Sequence, residues 1–122
     1  MFSEAPILIA EDNSYHSLDL SCAVENLEGR VVGPASTVAE ALSLLATHDV
    51  AAAIIDFQLG NRDASVLARQ LAERRVPFVI HTANALPASA SDLHPAVPVL
   101  IKPLQASAIL TCLLDEIRKA RA

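Results

Sequence analysis

Short apolar runs alternate with longer amphipathic segments along this chain, and this alternation constrains the fold more than any other feature. Four runs, at residues 7–10, 52–55, 78–81 and 99–101, are continuously apolar or nearly so, as expected of strands that a sheet buries on both faces. A fifth run, at residues 30–32, is shorter and ends at Gly33-Pro34, so we place it at an edge of the sheet. The pattern predicts an α/β fold, a doubly wound five-stranded parallel sheet with helices on both faces.

Helical patterns occupy the intervals between the strands, at residues 14–27, 38–46, 64–74 and 106–118. Thr37 and Glu40 have the spacing of a capping box at the start of the second helix. In the last helix, Ile109, Leu113 and Ile117 form one apolar stripe. The interval between the last two strands departs from the alternation of strands and helices, because its prolines leave only residues 88–94 free of proline. A fourth helix there is expected to be short, frayed or missing.

Size and composition bound the remaining possibilities. A chain of 122 residues predicts one domain, residues 1–122, with a core built from aliphatic side chains because aromatic residues make up only 3%. The net charge of -5 argues against a nucleic-acid surface. No apolar run approaches the roughly 18 residues that span a bilayer, so we expect a soluble, cytoplasmic protein without membrane contact. Cys22 and Cys112 lack metal or redox spacing and are predicted to be buried thiols.

Acidic residues follow two of the predicted strands. Glu11 and Asp12 come directly after the first strand, and Asp56 ends the third. Carboxyl ends of parallel strands meet at one edge of a doubly wound sheet, where ligands bind. Three converging carboxylates require a neutralising cation, and hard oxygen donors suit Mg²⁺. Lys102 and Thr82, each at the end of a later strand, add a positive charge and a hydroxyl donor. This set of groups predicts in-line transfer of a phosphoryl group to an aspartate.

Simpler interpretations exist for the same residues. Glu11 and Asp12 alone are more typical of acids that stabilise a helix start, and only their combination with Asp56 and Lys102 favours a site. Thr82 alone is equally typical of a strand-end hydroxyl. The four histidines show no ligand spacing, and we assign them no role.

Four segments of the sequence resemble the receiver domains of two-component response regulators, and the resemblance extends over essentially the whole chain. They are Ile7-Leu8-Ile9-Ala10-Glu11-Asp12, Ile54-Ile55-Asp56, Thr82-Ala83 and Ile101-Lys102-Pro103. The resemblance implies a flavodoxin-like strand order 2-1-3-4-5. It implies that Asp56 accepts a phosphoryl group from the phosphohistidine of a histidine kinase.

The resemblance also implies the roles of the neighbouring residues. Asp12 and Asp56 would bind Mg²⁺ directly, Glu11 largely through water, and Gln58 through its backbone carbonyl. Lys102 would pair with phosphoryl oxygens, Thr82 would move toward them, and the Lys102-Pro103 bond would be cis. The partners implied are a sensor histidine kinase or phosphotransfer protein and a downstream effector protein, with the domain a monomer or weak dimer. Such a domain is a phosphoacceptor switch and not an enzyme, with at most slow self-dephosphorylation.

The sequence differs from the usual receiver pattern at several positions, and these differences indicate a subgroup of the family. Many receivers have Tyr or Phe where Val99 stands, so an aromatic switch cannot operate here. Around Pro77–Thr82 and Pro98–Leu100 the sequence is similar to a subgroup of stand-alone alphaproteobacterial receivers, sometimes called the FAT GUY group, although Ala83 and Asn84 replace its Gly and Tyr. We hypothesise that residues 83–97 are loosely held and that phosphorylation tightens them.

Two alternative functions remain open from the sequence. A hydrolase of the haloacid dehalogenase type needs a second Asp two residues after the nucleophile, where Gln58 stands, which disfavours that class. A pseudo-receiver, acting as a protein-interaction module without phosphorylation, usually lacks one of the acids, the acceptor or the lysine. All of them are present here.

Overall fold

A computed structural model describes residues 2–60, 62–83, 97–102 and 104–121. Seven strands and four helices follow one another in these ranges. The strands are β1 (Pro6–Ala10), β2 (Arg30–Ala35), β3 (Ala52–Asp56), β4 (Gln58–Leu59), β5 (Arg62–Asp63), β6 (Phe78–Thr82) and β7 (Val99–Ile101). The helices are α1 (Ser14–Asn26), α2 (Val38–Thr47), α3 (Ser65–Glu73) and α4 (Ala106–Arg121).

Five of the strands form one parallel sheet in the order β2-β1-β3-β6-β7. With β6 and β7 as its fourth and fifth strands, this is the flavodoxin-like order 2-1-3-4-5, and the predicted fold class is confirmed. Strand order reverses beside β1, so the carboxyl ends of β1 and β3 border the position where a doubly wound sheet binds ligands.

Two aliphatic cores cover the two faces of the sheet. One packs α2 and α3 against one face, with Leu45 and Leu71 among its buried members. The other packs α1 and α4 against the opposite face, with Val24 and Leu113 among its buried members. All five residues of β3 are buried, as expected of a central strand covered on both sides.

Side-chain caps start two of the helices. Thr37 Oγ1 accepts a hydrogen bond from the Glu40 N–H at 3.1 Å, and Glu40 Oε1 accepts one from the Ser36 N–H at 2.8 Å. The capping box predicted for α2 is therefore present, with its second bond one residue earlier than in the usual pattern. Asn13 caps α1, since its Oδ1 accepts from the His16 N–H at 3.0 Å, which fixes the direction in which α1 leaves the carboxyl end of β1.

Two expectations from the sequence are wrong, and one element was not predicted. β2 does not end at Gly33 but continues to Ala35, because Gly33 adopts a positive φ of 101° and the register with β1 shifts there. The segment after β3 contains a short antiparallel hairpin, β4 and β5, whose two-residue strands carry no periodic signal. Cys22 is exposed rather than buried, while Cys112 is half-buried, and both are free thiols.

Three expectations fall on residues outside the described ranges. These are the short or missing helix at residues 88–94, the loosely held segment at residues 83–97, of which only the ends are described, and the cis bond between Lys102 and Pro103. Within the described part of the chain, no helix combines the length and the apolar character needed to cross a membrane.

Candidate functional site

The ends of four parallel strands bring the predicted site residues together. Asp56 is the last residue of β3 and Thr82 the last of β6, whereas Glu11 and Lys102 directly follow β1 and β7. Glu11, Asp56 and Thr82 are buried, at 3%, 6% and 2% exposure. Asp12 is exposed at the mouth of the site. The sequence prediction that these residues share one edge of the sheet agrees with the structure.

Lys102 joins two of the carboxylates. Its Nζ donates to Asp56 Oδ2 at 2.7 Å and to Glu11 Oε1 at 3.3 Å. Burial lowers the pKa of Lys102, but the hydrogen bond to Asp56 and the charges of Asp56 and Glu11 outweigh it, and the pKa is raised. The ammonium group therefore stays charged and holds Asp56 in a fixed orientation.

The pKa of Glu11 is raised by its position in the site. Burial, together with the nearby charge of Asp56, raises the pKa of Glu11 from 4.5 to about 7, although the Asn13 N–H and Lys102 oppose the shift. The Asn13 N–H donates to Glu11 Oε2 at 3.1 Å. One lysine is thus insufficient to neutralise the clustered acids, and a further cation would be stabilised here.

The loop that follows β3 closes one side of the site. The Gln58 N–H donates to Asp56 Oδ1 at 3.1 Å, and the Gly60 N–H donates to Asp12 Oδ2 at 2.9 Å. Asp56 is therefore held through both oxygens, one by Gln58 and one by Lys102. Gln58 borders the site through its backbone N–H, and the metal-binding role of its backbone carbonyl stays a prediction.

The donor set fits a divalent cation. Glu11, Asp12 and Asp56 each offer one carboxylate oxygen, and these three oxygens lie within 4.8 Å of one another. Hard, charged oxygens are the ligands that Mg²⁺ prefers, and exposure of Asp12 leaves room for the waters that Mg²⁺ retains. The residues present therefore fit a Mg²⁺ site.

Two neighbours of the site were not predicted. His16 Nδ1, on the first turn of α1, lies 3.8 Å from Glu11 Oε1. His81 pairs with Asp56 in register across β3 and β6 and is buried. Neither histidine has a distinguishing spacing in the sequence, and the proximity of His16 to Glu11 depends on the orientation of α1. The position of His81 opposite Asp56 depends on the register between β3 and β6.

Comparison with solved structures identifies proteins that have a similar fold. No family model matches the sequence, and none of the curated proteins matches it. Solved structures do match. A response regulator receiver protein from Sinorhizobium medicae has a TM-score of 0.86 at 21% identity, covering 98% of this chain and 99% of its own. A CheY-like receiver domain protein from Methanospirillum hungatei has a TM-score of 0.84 at 18% identity, covering 96% of each chain.

A third similar structure contains a metal ion. It is the receiver domain of a sensor histidine kinase from Pseudomonas aeruginosa, with magnesium coordinated in its active-site cleft. Its TM-score is 0.76 at 24% identity, over 93% of this chain and 98% of that chain. The chain therefore has the CheY-like fold of response regulator receiver domains, and the resemblance predicted from the sequence is confirmed for the fold. The narrower FAT GUY subgroup stays a prediction.

Proposed function

We propose that this chain is a response-regulator receiver domain that accepts a phosphoryl group on Asp56 in a Mg²⁺-dependent reaction. The observation that carries the proposal is the position of Asp56. It ends the central strand β3, Lys102 Nζ lies 2.7 Å from its Oδ2, and Glu11 and Asp12 share its carboxylate cluster. A buried carboxylate held by a lysine beside a cation site is suited to nucleophilic attack on phosphorus.

The donor is the phosphohistidine of a sensor histidine kinase or phosphotransfer protein. A carboxylate oxygen of Asp56 attacks phosphorus, and an acyl phosphate bond forms as the phosphorus–nitrogen bond breaks. The electron pair of the broken bond remains on the imidazole nitrogen, and the imidazole, protonated on its other nitrogen, leaves as a neutral group. The transfer of the phosphoryl group therefore requires no reactant other than Asp56 and the phosphohistidine.

The surrounding residues have separate tasks. Lys102 donates from its ammonium group to the transferred oxygens, and Thr82, buried at the end of β6, supplies a hydroxyl donor on the same edge. Glu11, Asp12, Asp56 and the Gln58 carbonyl would hold Mg²⁺, with Glu11 acting largely through water. When bound, the ion supplies positive charge that offsets the clustered carboxylates and the transferred phosphoryl group.

The outcome of phosphorylation is a changed protein-binding surface or return of phosphate to another kinase component. We infer a signalling phosphoacceptor in the cytoplasm, with at most slow self-dephosphorylation, and not an enzyme with turnover. Because Val99 stands where many receivers have an aromatic residue, the change of surface uses an element other than an aromatic side chain at this position of β7.

Intact mass after incubation with Mg²⁺ and phosphoramidate tests the proposal. We expect one phosphoryl increment that is absent in Asp56→Asn and absent when the metal is chelated. Asp49→Asn is the matched control, since Asp49 is exposed and lies just before β3, and it should still be phosphorylated. No increment in the unmodified chain, under conditions that phosphorylate another receiver, would instead favour the pseudo-receiver.

A further inference from the structure

A small cavity lies beside Lys102, between α1 and α4. Its volume is about 90 Å³. Four polar or charged residues line it, namely His16, Asp19, His81 and Lys102, and the remaining wall is apolar: Leu20, Leu104, Ala106 and Ile109. Lys102 of the site and two histidines therefore line one cavity.

His81 is the most unusual part of this lining. It is 5% exposed, and neither of its ring nitrogens has a hydrogen-bond partner among the described residues. His16 Nδ1 is likewise buried without such a partner. A neutral imidazole offers one donor and one acceptor. Buried polar atoms of this kind are normally paired, with protein groups or ordered water.

Lys102 has capacity for one more hydrogen bond. An ammonium group carries three donors, and within the described ranges Lys102 Nζ donates to Asp56 and Glu11. Lys102 and His81 line the same cavity. At roughly 30 Å³ for each water, the cavity has room for about three water molecules.

We propose that ordered waters in this cavity bridge the third proton of Lys102 to His81, which makes His81 a positioning residue for Lys102. Water is the ligand that fits, because it accepts from the ammonium group and also donates to the acceptor nitrogen of a neutral imidazole. The His81 N–H then donates to a second water, on the side of the cavity that His16 lines. The bridge holds the ammonium group so that its other two protons point at Asp56 and Glu11.

The role of His81 in phosphoryl transfer rests on the proposed function. A misoriented ammonium group would stabilise the transferred oxygens less without changing how the phosphodonor docks. We therefore expect the maximal rate to change more than the donor concentration that gives half of it.

Three substitutions at His81 test the positioning role. His81→Leu removes both nitrogens, His81→Phe is a second apolar variant should the leucine variant fail to fold, and His81→Gln restores a donor and an acceptor. His48→Leu is the matched control, because His48 is an exposed histidine at the end of α2. With phosphoramidate and Mg²⁺, we expect about a tenfold lower maximal rate for the apolar variants, and His81→Gln and His48→Leu within about threefold of the unmodified chain.

A crystal structure of the unmodified chain, at a resolution that shows ordered water, tests the bridge independently of phosphorylation. Waters within hydrogen-bond distance of both Lys102 Nζ and a His81 ring nitrogen would support it, and a dry cavity would overturn it. An unchanged maximal rate in the folded apolar variants would overturn the positioning role. If the unmodified chain accepts no phosphoryl group, the proposed function fails, and the electron density alone decides the water bridge.

Discussion

The Asp12 carboxylate accepts a hydrogen bond from the backbone N–H of Gly60 at 2.9 Å, which links the end of β1 to the turn of the β4–β5 hairpin. One oxygen of Asp12 is oriented by this bond. The side chain is nevertheless exposed, unlike those of Glu11 and Asp56. Asp12 is therefore the acid in the cluster that can be changed with the least disturbance of the core.

Asp12→Asn should weaken Mg²⁺ binding at least about tenfold, because it removes one full charge from the ligand set while keeping an acceptor for Gly60. Ligand binding raises the unfolding temperature by mass action, so the Mg²⁺-dependent rise in Tm measures the change. Asp49→Asn should keep the full rise. An equal rise in Asp12→Asn would show that Asp12 is not a ligand.

The stability of the metal-free protein should fall as pH rises from about 4.5 to about 7. The raised pKa of Glu11 means that the folded state retains a proton that the unfolded state loses in this window. The contribution of Glu11 is therefore complete below pH 4.5 and lost above pH 7, and it amounts to at most about 3 kcal/mol. Urea unfolding across this pH range checks the slope.

Glu11→Gln supplies the control for this slope, since an amide does not titrate. We expect the decrease in stability between pH 5 and 7 to shrink in this variant. An unchanged slope would assign the decrease to other groups. In the unmodified chain, Mg²⁺ should also bind more weakly below pH 7, because protonation removes the negative charge with which Glu11 attracts the ion.

Lys102→Met should destabilise the metal-free protein by about 2 kcal/mol at pH 8, because it leaves two largely buried carboxylates without their cation. Adding Mg²⁺ should recover part of the loss. Lys119→Met is the matched control. Lys119 pairs with Glu116 at 3.1 Å on α4, and because the lysine is exposed to solvent this pair contributes little to stability. Equal losses in the two variants would contradict a special role of Lys102 in neutralising the site.

Gly33→Ala should destabilise the fold by about 3 kcal/mol and Gly60→Ala by about 1 kcal/mol. Both glycines have positive φ, 101° and 66°. A Cβ on Gly33 would also lie 2.7 Å from Ala35 N and 3.0 Å from Ile9 O, whereas at Gly60 its nearest contact is Ser36 O at 4.0 Å. Thermal unfolding of the two variants measures the difference, and a larger loss at Gly60 would contradict the steric argument.

The sequence predicted the sheet and the meeting of Glu11, Asp56, Thr82 and Lys102 because both follow from topology. Continuous apolar runs mark buried parallel strands, and residues at their carboxyl ends must share an edge. The β4–β5 hairpin was missed because two-residue strands have no periodicity. The exposure of Cys22 was missed because the rotation of α1 about its axis depends on its packing against α4.

The environments of the histidines were beyond sequence reasoning for a related physical reason. The 3.8 Å separation of His16 and Glu11 depends on the angle at which α1 leaves β1. The cavity beside His81 depends on how the side chains of α1 and α4 fill the space between the helices. Neither quantity is encoded in the spacing of residue types.

The ion pairs of Lys102 span 46 and 91 positions of the chain, to Asp56 and Glu11 respectively. No local segment, and no intermediate that lacks β7, can assemble this arrangement, since loop closure over such separations is achieved only when the sheet is complete. The three acids that fit Mg²⁺ lie at the ends of β1 and β3 alone, so the pairing of Lys102 with Asp56, and not metal affinity, should report on completion of the whole sheet. A chain in which β7 has not joined the sheet would not accept a phosphoryl group, because Lys102 would be absent from the site even if β1 and β3 had already paired.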